Sequence, residues 1–485
     1  MSGRHLLSML GLLGLGACSP LKTAPPPPAT LEVPSAYRAH GDQGAAPLDA
    51  QAPETIFWGA FGDPVLADLV QKALARNGDV RVAIARLREF QSRIQLADSA
   101  RQPTLNAGLS PGRARAIGSQ GTPVEATSLA GNLQASYELD LFGRLAATTA
   151  AARADLRAQH ALAAATALSV AANTASGYLN LRGLDAQLVL AKATLASRER
   201  SLALAKRQFD VGYSSRLDWS QAQAEYHVTA AVVPQLERSI VQQENALAVL
   251  TGASVGTATA SIARGAVLEQ LAAPAIDAGL PSSLLRRRPD IVQAELAVAA
   301  ADASLAAARD QMLPTVRLNA STGLQAYSLT QLLNAPFLLW SVGGSVLAPV
   351  LDGGRLQAQA DISASLRDRA ILGYESVVRN AFADSDNALS AVQRLDQQLA
   401  ETVQRQQAAA EVLRVAHNRY ANGYASYLEE LDAQRNAFAA DQAVLQLRAA
   451  VLTARVDLFR ALGGGWRSTL QQGQYPRKGM PHFVA

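Results

Sequence analysis

The side chains that could do chemistry are few and scattered. Six histidines, His5, His40, His160, His227, His417 and His482, are spread along the chain. None falls in an HExxH pair, and no two have the spacing of a metal pair. No glycine-rich phosphate loop and no GxSxG turn is present. His160, His227 and His417 fall in segments that read as helix, where a solvated or interior-facing side chain is a simpler reading than a ligand. Catalytic residues, metal and cofactor are therefore all expected to be none, and the chain reads as a protein that is not an enzyme. One residue does promise covalent chemistry. Cys18, the sole cysteine, ends the run Leu15-Gly16-Ala17-Cys18 after a basic start (Arg4, His5) and a short apolar core, Leu6–Leu15. That order is a secretory signal, and its last four residues resemble a bacterial lipobox, in which the thiol takes the lipid and becomes the first mature residue. Ser19 rather than Asp follows, the usual pattern for sorting to the outer membrane.

A second group of polar residues flanks two glycines far apart in sequence. Asp218 follows Gly212; Tyr420 precedes Gly423, and Glu429, Asp432 and Arg435 follow it. Carboxylates just past a turn complement the dipole of the helix they begin. Gathered around a narrow axis, the same carboxylates would repel one another and favour cations over anions. Arg435 stands one helical turn from Asp432, where it could offset that repulsion.

The elements that must position these residues can be read from pattern. Charged residues make up 17% of the chain and the net charge is +4, too mild for a nucleic-acid partner. Hydrophobic residues reach 49%, but much of this is alanine, and aromatics are only 5%, which suits long, closely packed helices better than a thick globular core. From Trp58 onward the chain is built twice. Asp79 and Asp290, Pro103 and Pro314, Gly143 and Gly354, Gly212 and Gly423, and Ala222 and Ala433 all share one offset of 211 residues. Each half reads alike. A helix (Asp79–Arg101) stops before proline. A strand pair follows, with period-two alternation at Leu105, Ala107 and Leu109 and again from Leu129 to Leu139, the two parts joined by a Gly/Ser/Pro-rich loop. Next comes a long helix, Gly143–Asp210, about 100 Å at 1.5 Å per residue. Its heptads Leu181, Leu188, Leu195, Leu202 and Phe209 predict coiled-coil packing. In the copy, Val392, Leu399, Gln406, Leu413 and Tyr420 repeat the seam, broken only at Gln406. The chain returns as helix over Leu217–Leu250 and Leu428–Leu462.

The expected organisation is a signal peptide, 1–17; a lipid-anchored extended linker, 18–57; a first repeat, 58–252, with its strand pair at 104–139; an inter-repeat linker, 253–279; a second repeat, 280–466, with its strand pair at 315–350; and a tail, 467–485. No segment after the signal reads as long and apolar enough for a transmembrane helix, so membrane crossing would require a closed β-barrel. Four strands cannot close one, and the chain must oligomerise to hide its strand edges. The fold class is mainly α with membrane β.

The stretches Trp58-x-x-Phe61-x-Asp63-Pro64, Tyr137-Glu138-Leu139-Asp140-Leu141-Phe142-Gly143-Arg144, Arg287-Arg288-Pro289-Asp290, Leu351-Asp352-Gly353-Gly354-Arg355 and Leu431-Asp432-Ala433-Gln434-Arg435 occur in this order over nearly the whole mature chain. In this the chain resembles the TolC-like outer-membrane efflux proteins, in their OprM/NodT lipoprotein branch. The resemblance implies a homotrimer with a twelve-stranded β-barrel in outer-membrane lipid and a periplasmic helical barrel. It also implies a periplasmic adaptor and an inner-membrane transporter of RND type as partners. In that family the end farthest from the membrane is a closed iris. By position, Asp432 matches its inner acidic ring, Glu429 and Asp218 match neighbouring gate acids, and Ala425 stands where some members have a gate arginine. The alternative of an adaptor-like lipoprotein would call for one central hairpin between β-rich halves instead of a whole-chain duplication.

Overall fold

The computed structural model describes residues 32–38, 48–49, 54–117, 119–254, 262–326, 330 and 338–466. The signal peptide, Cys18, most of the 18–57 linker and the 467–485 tail lie outside the described residues. The elements are β1 (Leu48–Asp49), α1 (Glu54–Gly59), α2 (Pro64–Arg76), α3 (Gly78–Ser99), β2 (Thr104–Ile117), β3 (Pro123–Leu139), α4 (Arg144–Asp210), α5 (Arg216–Leu250), β4 (Ile276–Asp277), α6 (Leu284–Arg287), α7 (Pro289–Asp310), β5 (Thr315–Ala326), β6 (Leu338–Leu347), α8 (Arg355–Ala421) and α9 (Tyr427–Ala461). The duplication is exact in the helices. α3, α4 and α5 recur as α7, α8 and α9 with both ends at the same offset, the long pair at 67 residues each and the returning pair at 35.

The chain divides into two compact units. One, Leu87–Gln159 with Ala294–Glu375, holds the main sheet. Its order is β2-β3-β5-β6, antiparallel throughout, so the hairpins of the two repeats pair through β3 and β5. The register puts Leu105, Ala107 and Leu109 on the same face as Leu133, Ala135, Tyr137 and Leu139, and continues through Val316, Leu318 and Ala320 to Val342 and Val346. Asn106, Gln134, Asn319, Ser321 and Ser341 share the opposite face. One apolar and one polar face, with large side chains such as Leu105, Leu109, Trp340 and Val342 exposed, is the pattern of a sheet wetted by lipid on one side. The expected loop after Leu109 is instead strand: β2 runs on to Ile117 and β3 begins at Pro123. The prolines that suggested a loop are placed where strands tolerate them. Pro111 lies on β2, an edge of the sheet, and Pro123 opens its strand. Where strand gives way to long helix, Asp140 accepts from Leu145 N (3.0 Å) and Ala146 N (2.8 Å), and Asp352 accepts from Leu356 N (2.9 Å). These aspartates satisfy helix-start amides that have no partner within the helix.

The other unit, Leu31–Arg86 with His160–Gln293 and Ser376–Ala485, is helical. Phe57 stacks on Phe459 at 3.8 Å, edged by Trp58 and Phe61. Asp63 is buried and caps α2 at Val65 N (2.9 Å) while accepting from Tyr178 Oη (2.7 Å) and Ala266 N (3.1 Å). One carboxylate thus joins α2, α4 and the inter-repeat linker. Arg288 does the same for α7, α8 and α9, binding Asp290 (2.7 Å), Asp384 (3.3 Å) and the Ala461 carbonyl (3.2 Å). β1 pairs in parallel with β4, seating the N-terminal strand on the linker. Gln406, the break in the heptad seam, donates to Asp441 (2.7 Å), so the polar position is filled by a bond from α8 to α9.

A further expectation, that no segment after the signal is long and apolar enough for a transmembrane helix, needs correction. α7 is, by length and composition, apolar enough to cross a membrane, with mean hydropathy 1.4 over its best window. The apolarity is largely alanine, and α3, at the same place in the first repeat, carries Arg81, Arg86, Arg88, Glu89 and Arg93.

Candidate functional site: the paired hairpin tips

Both long helices end in the same backbone device. Gly212 (φ +76°) and Gly423 (φ +75°) take the left-handed conformation that side chains disfavour. Around them Tyr213 N donates to Gln208 O (2.7 Å) and Gly212 N to Phe209 O (2.9 Å); Tyr424 N donates to Arg419 O (2.8 Å) and Gly423 N to Tyr420 O (3.0 Å). These are Schellman closures, which reverse the chain within a few residues. The returning helices then start differently. Ser215 and Asp218 form a full capping box: Ser215 Oγ accepts from Asp218 N (3.2 Å), and the Asp218 carboxylate accepts from Ser215 N (3.1 Å). In the second tip the side chain of Ser426 makes no cap bond, and Glu429, the counterpart of Asp218, lies 3.5 Å from Arg419.

The tips are tied to each other by side chains from four helices. Arg435 of α9 donates from Nε to Glu225 Oε2 of α5 (2.8 Å). Arg198 of α4 approaches the other oxygen of Glu225 (3.5 Å). The side chains of Arg198 and Glu225 are only 4% and 8% exposed, so this is a buried pair, with Arg435 half exposed at its edge. Glu430 of α9, also buried, takes a bond from Gln434 (2.9 Å) and lies 2.8 Å from His417 Nδ1 of α8. Tyr420 Oη of α8 donates to Gln208 of α4 (3.2 Å). Between these polar ties lies an apolar plug of Ala205, Ala222, Tyr427 and Leu431, with Leu202 and Tyr420 packed on it. Burial pushes the Tyr427 phenol up to about 12 and lowers the pKa of Arg198; burial also raises Tyr420, helped by the Glu430 and Asp218 carboxylates.

Asp432 is elsewhere. At 100° per residue it falls, with Glu429 and Asn436, on the side of α9 opposite Glu430 and Gln434. It is exposed, takes a bond from Asn436 Nδ2 (3.2 Å), and with Glu429 and Glu411 rims a groove of about 340 Å³ floored by Val412, Val415 and Ala416. The expected offset of Asp432 by Arg435 is not what the structure shows, because Arg435 turns to Glu225. Among the described residues, no cluster of His, Cys, Asp and Glu is arranged to hold a metal ion.

The outer membrane efflux protein family matches residues 69–253 and 280–464, one match to each repeat and the two at the offset already found. The chain belongs to that family. It is 32% identical to the pyoverdine export outer membrane protein OpmQ of Pseudomonas aeruginosa, over 97% of this chain and 99% of that one. It is also 32% identical to the cation efflux system protein CusC of Escherichia coli, over 84% and 87%. Among solved structures, the open-state MtrE outer membrane channel of Neisseria gonorrhoeae superposes with a TM-score of 0.81 at 30% identity, covering 92% of this chain and 99% of that one. The protein is an outer-membrane channel of a tripartite efflux system, and not its adaptor. Its fold class is that of the trimeric efflux channels, with a helical barrel and a β-barrel.

For the efflux channel, most motif residues prove structural: Asp63, Asp140, Arg288 and Asp352 cap or clamp elements. Of the tie between repeats, Arg198, Gln208 and Glu225 were not singled out from sequence; nor was Glu430, which meets His417 within the second repeat. A signal existed for Arg198. It lies seven residues from both Ala191 and Ala205, which are 0% and 3% exposed, so a charge occupies an inward heptad position.

Proposed function

We propose that three copies of the efflux channel close a twelve-stranded barrel in the outer membrane, held also by lipid on Cys18, and that the tips at Gly212 and Gly423 form its periplasmic gate. The observation that carries the gate reading is the tie between repeats. Tyr420–Gln208, beside the turns, and Arg435–Glu225–Arg198, about 20 Å along the helices from them, join α8 and α9 to α4 and α5. A constriction can widen only if one hairpin moves against the other, and these bonds resist that motion. In a threefold assembly, Asp432 and Glu429 would line the narrow end and favour cations, while Asp218 serves its own helix start. An adaptor and an inner-membrane transporter of RND type supply the cargo. OpmQ is named for pyoverdine and CusC for cations, yet this chain is 32% identical to each over the residues matched, which fits a duct that passes what its pump delivers.

Crosslinking in native outer membranes should yield trimers; a predominantly monomeric species there defeats the barrel. Wild-type protein should take up palmitate label and Cys18→Ala should lose it, whereas an unlabelled wild type removes the anchor.

A further inference from the structure

The apolar face of the sheet does not run the full length of the first hairpin. On β2 the residues of that face are Leu105, Ala107, Leu109 and Pro111, then Arg113, Arg115 and Ile117. On β3, opposite them, Leu139 to Leu129 give way to Thr127, Glu125 and Pro123. Both strands therefore change character at the same rows. From Leu129 to Leu139 the face covers about 34 Å of strand, or ~25 Å of height at the usual tilt, which is the thickness of an outer-membrane apolar band. Trp340 on β6, in the row of Leu133, and Tyr137 on β3, in the second row from the helices, share this face. The second hairpin carries no charge on this face over its described rows, Val316–Leu324 and Leu338–Val346. The charges belong to the first hairpin alone, in rows that pair only β2 with β3 among the described residues.

Within this patch the charges do not cancel. Arg113 Nη2 bonds Glu125 Oε2 at 2.9 Å, both side chains well exposed. Arg115 is directly opposite Glu125 in the register, yet it makes no ion pair among the described residues. One guanidinium per chain is left over at the strand ends of the first hairpin away from the helices, just beyond the apolar rows and facing as they face. A guanidinium there meets headgroups, and its planar fork suits phosphate oxygens two at a time. We infer that Arg113 and Arg115 form a lipid-facing collar that binds the phosphate groups of anionic lipid in the outer leaflet, with Arg115 as the main contact.

This inference rests on the sheet spanning the membrane, so the test separates the two. The full-length channel would first be reconstituted in phosphatidylcholine vesicles; failure of the wild type to insert overturns the membrane reading and the collar with it. Lipid retention would then be read by native mass spectrometry after exposure to equal parts phosphatidylcholine and rough lipopolysaccharide. Wild type should retain the phosphorylated glycolipid about tenfold over the Arg113→Ser/Arg115→Ser variant. Arg113→Lys/Arg115→Lys should hold an intermediate amount, and Arg317→Ser, on the polar face, should equal wild type. Equal retention by wild type and the double serine variant, or loss of retention with Arg317→Ser alone, overturns the collar. So does displacement of the glycolipid by millimolar inorganic phosphate, which would mark a site for free phosphate.

Discussion

The two hairpin tips share a backbone and almost none of their side-chain chemistry. Both reverse through a left-handed glycine with the same pair of closing bonds. Yet at the 211-residue offset Arg198 faces Ala409, Glu225 faces Asn436, Arg435 faces Ala224, Glu430 faces Trp219 and His417 faces Lys206. Had the copies stayed alike, every tie between them would occur twice, once in each direction. Instead Glu225–Arg435 has no reciprocal, because Ala224 and Asn436 stand in the mirrored places. The first tip closes on itself, through the Ser215–Asp218 box and the stack of Phe209 on Trp219 (5.2 Å). The second ties His417 to Glu430 within itself and also reaches the first tip, through Arg435 and Tyr420. The duplication kept what shapes the turn and divided the labour of what the turn touches.

Substitutions at matched positions test that division. The largest effect is expected at Arg198. Arg198→Met leaves Glu225 buried with only its half-exposed partner, and breaking a buried pair costs about 3 kcal/mol. Ala409→Leu, at the matched position, should cost roughly 1 kcal/mol from added volume alone. Trimer dissociation on heating or in urea would compare them, and equal losses would mean that the buried charge does not distinguish the tips. Next is Arg435→Ala, which should raise open probability or conductance in planar bilayers while assembly stays normal. Because Arg435 and Glu225 act as one contact, Glu225→Gln/Arg435→Ala should exceed neither single variant by much; additive effects would show two separate contacts. The smallest effects separate the acids. Asp432→Ala should weaken cation selectivity, whereas Asp218→Ala should leave it unchanged and cost about 1 kcal/mol of stability for the lost cap. Unchanged selectivity in Asp432→Ala trimers would remove that residue from the pore.

Much of this fold was legible because its signals are local and repeated. Heptads, alternation, prolines and paired glycines each mark an element, and a copy at constant offset confirms it. The strand ends were not, because Pro111 and Gly112 read as loop until β2 is known to be an edge. The site was half legible. Glycines announce a turn, and carboxylates after it announce charge at a helix start. Which face each acid takes, and that Arg435 reaches 210 residues back to Glu225 rather than one turn to Asp432, depends on packing between helices of different repeats. No local pattern encodes that choice.

The matching offset also governs stoichiometry. In an assembly of three chains, whatever both tips share, such as the exposed Tyr213 and Tyr424 beside the turn glycines, is displayed six times in near-equivalent settings. Whatever belongs to one tip, such as Asp432 or the Phe209–Trp219 stack, is displayed three times. A partner that reads the shared backbone features can therefore bind at up to six per channel, and one that reads the second tip alone at three.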